Sequence, residues 1–223
     1  MGDAIGQLLP FAVGVGLSPI PIVAVVVMLS TPRGHVNGPA FLLGWVLGLS
    51  AVGAAVIAVA GGAGASDSGE PSTGAGVAEL ALGVLLLILA VKQWRGRPRG
   101  DDAPELPGWM ARVDAFSPVK AAGMGVLLSA ANPKNLVLTA GAAAAIAETG
   151  IAAGDEAVAL AVFVVIGTVG VIAPIVISLT MGARANALLE DLHGWLAREN
   201  ATIMAVLCLV IGAKLLGSGI AAI

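Results

Sequence analysis

Residues 121–147 read AAGMGVLLSAANPKNLVLTAGAAAAIA, an apolar run broken at its centre by Asn132-Pro133-Lys134-Asn135. The run is long enough to cross a hydrocarbon core of roughly 30 Å. In lipid such a segment must satisfy its own backbone, so it is read as a helix rather than an open strand. Pro133 brings no N–H and crowds the carbonyl one turn earlier, which frees the carbonyl of Ser129. A lysine at the centre of a span costs about 2.5–3.5 kcal/mol on insertion scales, and such residues face a bundle interior or a wet cavity. The carboxamides of Asn132 and Asn135 both donate and accept, so they can repair the broken backbone and also grip a polar headgroup. Lys134 then reads as a holder of an anionic group, or as a point of proton exchange. The structural alternative is a kink shaped by Asn and Pro, with Lys134 snorkelling or bound to a carbonyl.

Five further apolar runs surround this one, roughly Ile5–Leu29, Ala40–Gly61, Val77–Trp94, Val158–Met181 and Thr202–Gly219. Hydrophobic residues make up 58% of the chain and charged residues 11%, less than half the roughly one quarter of a soluble domain. The fold expected is an all-α integral membrane protein of six transmembrane helices. The start, Met1-Gly2-Asp3-Ala4, has no positive n-region, so the first run is expected to be a retained helix.

Basic residues orient the bundle. Arg33 lies between the first and second runs. Lys92, Arg95, Arg97, Arg99, Arg112 and Lys120 flank or fill the connection from the third to the fourth, and Arg184 and Arg198 that from the fifth to the sixth. The alternate loops carry Asp67 and Glu70, then Glu148, Asp155 and Glu156, without Lys or Arg. The positive-inside rule therefore places both termini outside and three basic loops inside. Within the inner loops, Trp109, Val113 and Phe116 recur at helical spacing opposite Arg112 and Asp114. Leu188, Leu192 and Trp195 do the same opposite Glu190, Asp191 and Arg198. Both stretches read as short amphipathic helices on the cytoplasmic interface, or as plain elbows closing hairpins. The outer stretch from Ala60 to Gly76 is Gly/Ser-rich.

The two halves echo each other. Gly14-Val15-Gly16-Leu17-Ser18-Pro19-Ile20-Pro21 is matched by Gly125-Val126-Leu127-Leu128-Ser129-Ala130-Ala131-Asn132-Pro133, and Leu89-Ala90-Val91-Lys92 by Ile211-Gly212-Ala213-Lys214. Residues 1–110 and 111–223 thus form two three-helix repeats of one membrane domain. An odd number of spans inverts the second repeat, as in many secondary transporters. Pro19 and Pro21 disturb the first helix and free the carbonyls of Val15 and Leu17. Paired interruptions at corresponding places are the pattern that points to a midplane substrate site. The candidate substrate-binding residues are Ser18, Pro19, Pro21, Ser129, Asn132, Pro133, Lys134 and Asn135.

Other polar or small residues admit blander readings. Lys214 is an interfacial anchor or a contact on an exit path, and Glu79 is interfacial. Gly167, Thr168 and Pro174 mark a hinge or a packing site, while Gly44 and Gly48 form a small-xxx-small face. Cys208, the single cysteine, is an apolar core residue. The chain has no phosphate-binding loop and no metal-ligand spacing around His35 or His193. It also lacks an intramembrane carboxylate cluster and a Ser/His/Asp or HExxH pattern. Neither an enzyme nor a cofactor or metal is expected.

Through Leu17-Ser18-Pro19-Ile20-Pro21 and Leu128-Ser129-Ala130-Ala131-Asn132-Pro133-Lys134-Asn135, with the six-run plan, the whole chain resembles the LysE exporter superfamily. More closely it resembles the branch of glycopeptidolipid- and sulfolipid-addressing proteins, the GAP or Sap type of actinobacterial envelopes. The resemblance implies a plasma-membrane secondary exporter of an anionic or amphipathic solute, with a (glyco)lipid or lipid precursor leading. It implies a membrane lipid or small molecule as partner and is compatible with a homodimer; no nucleic acid is implied. Two alternatives stand beside it: a small-solute (amino acid) exporter of LysE type, and a non-transporting scaffold for envelope-lipid export. Fold alone does not fix the substrate.

Overall fold

The computed structural model describes residues 1–62, 73–97, 108, 113, 115–181 and 183–221. Regular structure among them is helical throughout: α1 (Gly2–Gly16), α2 (Pro19–Leu29), α3 (Gly34–Gly62), α4 (Thr73–Arg95), α5 (Pro118–Val126), a π-helical turn (Leu127–Ala131), α6 (Pro133–Glu148), α7 (Ala153–Met181) and α8 (Ala183–Ala221). Each of the six apolar runs maps onto one helix or one broken pair. Three stretches are individually long and apolar enough to cross a bilayer: Gly34–Ala60, Ala153–Met181 and Ala187–Ala221. α1 and α2, bent by 46° at their junction, make a fourth candidate as a pair. Asp67, Glu70, Arg99, Trp109, Arg112 and Asp114 lie outside the described residues. From the predicted amphipathic stretch around Trp109, only Val113 and Phe116 are placed, buried and half-buried against the core.

The second predicted interfacial helix is not separate. Nothing between Gly194 and Thr202 breaks a helix, so the stretch continues into the last apolar run as the 39-residue α8. Ala185, Leu189 and Leu196 form its buried stripe, while Leu188 and Trp195 are exposed.

Glycines set how the helices meet. A side chain on Gly44 of α3 would overlap the backbone of Ala122 on α5, and one on Gly48 would overlap Ser129 Oγ. From the other side, a Cβ on Gly125 would overlap the Phe41 carbonyl. α7 meets α1 in the same way, with Gly170 against the Gly16 carbonyl and Gly16 against that of Ile166. α4 and α8 meet reciprocally: a Cβ on Gly83 would lie 3.0 Å from the Gly212 oxygen, and one on Gly212 would lie 3.1 Å from the Gly83 oxygen. Small residues let backbones approach where lipid supplies no hydrophobic force between helices. The second helix of each half therefore packs on the leading segment of the other half's broken helix. The third helices pack on each other.

At the centre of the bundle, the rings of Phe41 and Trp45 stack with centroids 6.4 Å apart, and Trp45 Nε1 donates to the Gly167 carbonyl at 3.3 Å. At one end, Asn37 Nδ2 donates to the Phe116 carbonyl at 3.1 Å, joining the starts of α3 and α5, where Arg33 and Lys120 also lie. At another point on the surface, Lys214 Nζ donates to the Gln7 carbonyl at 3.0 Å, joining the late part of α8 to the early part of α1.

Candidate functional site

The two chain breaks are built alike. Ser18 caps α2 with φ −73° and ψ 109°, and Asn132 caps α6 with φ −69° and ψ 120°. Each is followed by a proline, Pro19 or Pro133, at the position where a missing N–H costs a helix nothing. Pro21 is buried within the first turn of α2.

Of the three carbonyls the proline rule frees, Leu17 and Ser129 accept no hydrogen bond from the described residues, whereas Val15 does. In an unbroken helix the Ser18 N–H would bond to Gly14. Here it turns to the Val15 carbonyl at 3.1 Å, while the Leu17 N–H bonds Val13 at 2.9 Å. Val15 is thereby satisfied and Gly14 is left open. In the second break, the π turn moves each acceptor's donor one residue along the chain. The donor due to Leu128 is then Pro133, which has none, so Leu128 carries an open carbonyl as well as Ser129, whose next donor, the Lys134 N–H, goes to Asn132 Oδ1.

The Asn132-Pro133-Lys134-Asn135 element fills the vacancies at Gly14 and Leu128. Lys134 Nζ donates to the Gly14 carbonyl at 2.7 Å, reaching across to the first break. Asn135 Nδ2 donates to the Leu128 carbonyl at 2.9 Å within the second. Ser18 joins the two repairs, because its hydroxyl donates to Asn135 Oδ1 at 2.8 Å and accepts from Lys134 Nζ at 2.6 Å. Lys134 is 3% exposed and Asn135 fully buried. Two of the ammonium's three donors are accounted for, and neither acceptor carries a charge.

Of the predicted residues, Ser18, Lys134 and Asn135 thus form one hydrogen-bonded cluster. Asn132 serves locally, accepting from the Lys134 N–H at 3.1 Å as the cap of α6. Ser129 donates within its own turn, to the carbonyls of Gly125 at 2.9 Å and Val126 at 3.1 Å, and packs on Gly48. Pro19 and Pro133 fix the chain direction at the two caps.

Sequence reasoning missed three contributors. The Gly14 carbonyl carries no sequence signal of its own, although it lies one turn before Ser18. Cys208 of α8, 1% exposed, lies near Lys134. Thr139, one turn beyond Asn135 on α6, is fully buried and its hydroxyl has no partner among the described residues.

Ser18→Ala tests the cluster. It leaves Asn135 Oδ1 and the ammonium each short of one partner, at about 1–3 kcal/mol per orphaned buried group. The expected result is a clearly lower melting temperature in detergent with the helical content retained. An unchanged melting temperature would mean that the three side chains do not share a network.

No curated protein and no solved structure matches the chain. A family model described as Sap, sulfolipid-1-addressing protein matches residues 8–221. Because that match runs from the first half of the first broken helix to the last turn of α8, the chain belongs to the Sap, sulfolipid-1-addressing protein family.

Proposed function

We propose that this protein is a six-span secondary exporter of an anionic lipid, a sulfated or otherwise acidic (glyco)lipid or its precursor, in the plasma membrane. The observation that carries the reading is Lys134: a buried cation, held by a carbonyl and a hydroxyl at the meeting point of two broken helices. Buried ammonium groups are stable when paired, and an anionic headgroup supplies the missing partner. The caps of α2 and α6 bring two helix N-termini to the same cluster, and such ends favour negative charge. The family's description, with its sulfolipid, agrees in charge.

The proposed mechanism is alternating access by two inverted three-helix repeats, residues 1–110 and 111–223. Its support is the matched caps and the reciprocal packing of α3 on α5, α7 on α1 and α4 on α8. Kinship with LysE-type exporters belongs to the same proposal. As the repeats rock, the cluster opens to one side at a time, and Lys134 exchanges Ser18 and Gly14 for the headgroup. Proton motive force is the proposed energy source.

The test uses liposomes containing only the purified protein and a fluorescent 3-sulfogalactosylceramide, with the unsulfated galactosylceramide as control. Quenching of the outer leaflet measures movement between leaflets. The expected result is protein-dependent movement of the sulfated lipid, faster than that of the control and responsive to an imposed proton gradient. No movement of either lipid would overturn the exporter and favour a scaffold. Equal rates would remove the role of negative charge.

A further inference from the structure

A second lysine stands on the same helix as the first. Lys214 Nζ donates to the Gln7 carbonyl of α1 at 3.0 Å, and Lys134 Nζ donates to the Gly14 carbonyl of the same helix. Those acceptors are seven residues apart, about two turns or 10 Å, and lie on one face. Between them is Phe11, 1% exposed. Lys214 rests 4.8 Å from the centroid of its ring. The ring also packs on Gly141 of α6, where a Cβ would come within 2.8 Å of ring carbon Cε1. α8 descends antiparallel beside this face. Lys214 lies at Gln7, Ile211 reaches the Gly14 backbone, where a Cβ would be 2.7 Å from Ile211 Cδ1, and Cys208 lies near Lys134.

Lys214 differs from Lys134 in being exposed. Its described contacts are a carbonyl and an aromatic face, so neither supplies a formal negative charge. Glu79 of α4 lies in the neighbourhood of Lys214, and Glu148, the last residue of α6, in that of Glu79. Asp3, one turn before Gln7 on α1, and Asp155 and Glu156, in the first turn of α7, add further carboxylates toward this end of the bundle. These carboxylates compete with any anion for Lys214, which suits a place where an anion pauses and leaves.

We infer that Lys214, steadied over the ring of Phe11, is a second, outward-facing station for an anionic headgroup, and that Phe11 is the partition between this station and Lys134. The inference rests on the reading of Lys134 as an anion site and extends it to a two-step path along α1. With Phe11 seated against Gly141, the Lys134 cluster is closed to the outside. Withdrawal of the ring joins the two stations. The ligand class is an acidic group, whether on a lipid or on a free solute.

Cys208, the single cysteine, reports on this path without requiring any transport. Spheroplasts of an expression host are treated from outside with two membrane-impermeant methanethiosulfonates, the anionic sulfonatoethyl reagent and its cationic trimethylammonium analogue. Wild-type Cys208 is expected to stay unlabelled, since a buried thiol is inert. Phe11→Ala should raise labelling at least about tenfold by giving access. In that background the anionic reagent should gain over the cationic one, and Lys214→Gln should reduce that ratio by up to about tenfold, the range of local charge focusing. Phe11→Leu serves if Phe11→Ala does not give a monodisperse protein.

Unchanged protection of Cys208 in a folded Phe11 variant would overturn the partition, and a charge ratio indifferent to Lys214→Gln would overturn the station. Failure of the exporter reading looks different: labelling as expected, with no movement of 3-sulfogalactosylceramide in liposomes. Labelling as expected, together with competition by free inorganic sulfate, would identify a solute path. Competition by the sulfated lipid alone would identify a lipid path.

Discussion

Lys134→Ala is expected to reduce movement of 3-sulfogalactosylceramide to the level of protein-free liposomes while the protein still inserts and remains helical. Removing one partner from a buried, hydrogen-bonded charge pair costs about 2–5 kcal/mol of binding, which is at least about thirtyfold in affinity. Alanine also strips a partner from the Gly14 carbonyl and from the Ser18 hydroxyl, so lost activity alone would not separate binding from structure. Lys134→Gln separates them. A carboxamide can donate to the same carbonyl and hydroxyl but brings no charge. A purely structural lysine predicts recovery of both melting temperature and transport in the glutamine variant. An anion-binding lysine predicts recovery of stability alone. Lys134→Arg keeps the charge but presents a planar fork instead of a compact ammonium, so weak transport with altered headgroup preference is expected. Full transport by the glutamine variant would end the proposed role.

Much of this organisation was legible from residue types. The apolar runs gave the helices because lipid leaves the backbone no other solution, and Asn132-Pro133-Lys134-Asn135 marked the cluster because its cost must be met inside the bundle. What stayed hidden depends on the backbone. The acceptor of Lys134 is the carbonyl of a glycine 120 positions away, and a carbonyl looks the same at every residue. Counting back four residues from each proline selected Val15, Leu17 and Ser129. A tightened turn at Ser18 satisfied Val15 and opened Gly14, and a widened one at Leu127–Ala131 opened Leu128, and these two added vacancies are the ones the cluster fills. The end of the interfacial stretch at Leu188, Leu192 and Trp195 was equally invisible, since no residue there stops a helix and amphipathic patterning alone does not mark a boundary.

The matched breaks also explain why so polar a cluster persists without a counter-ion. Each break taken alone leaves a carbonyl in an apolar interior, at about 1–3 kcal/mol. Together they share one set of donors, with Ser18 from the first half and Lys134 and Asn135 from the second. The cluster therefore ties the two halves together. On the proposed exporter reading, a ligand that captured Lys134 would loosen that tie and so link binding to movement without a further hinge.

The largest effect on folding is expected from Gly44→Val. The added side chain would occupy space held by the backbone of Ala122 on α5, and a backbone cannot change rotamer to make room. Overpacking in a close-packed interior costs about 1–3 kcal/mol even where side chains can yield, so this variant should exceed that range and fail to give a monodisperse peak on size-exclusion chromatography. α3 would be pushed off α5, taking with it the support that Gly48 gives to Ser129 beside the second break. Gly123→Val is the control, because its Cβ meets nothing within 4 Å, and it should leave the elution profile unchanged. Gly170→Val makes the experiment a test of the repeat as well as of the packing. Its side chain would strike the Gly16 carbonyl on α1, as one on Gly44 would strike the backbone of Ala122 on α5. If the halves are equivalent, both valine variants should fail to a similar degree. Loss of folding in one with full tolerance in the other would mean that the likeness of the two breaks does not extend to the helices that buttress them.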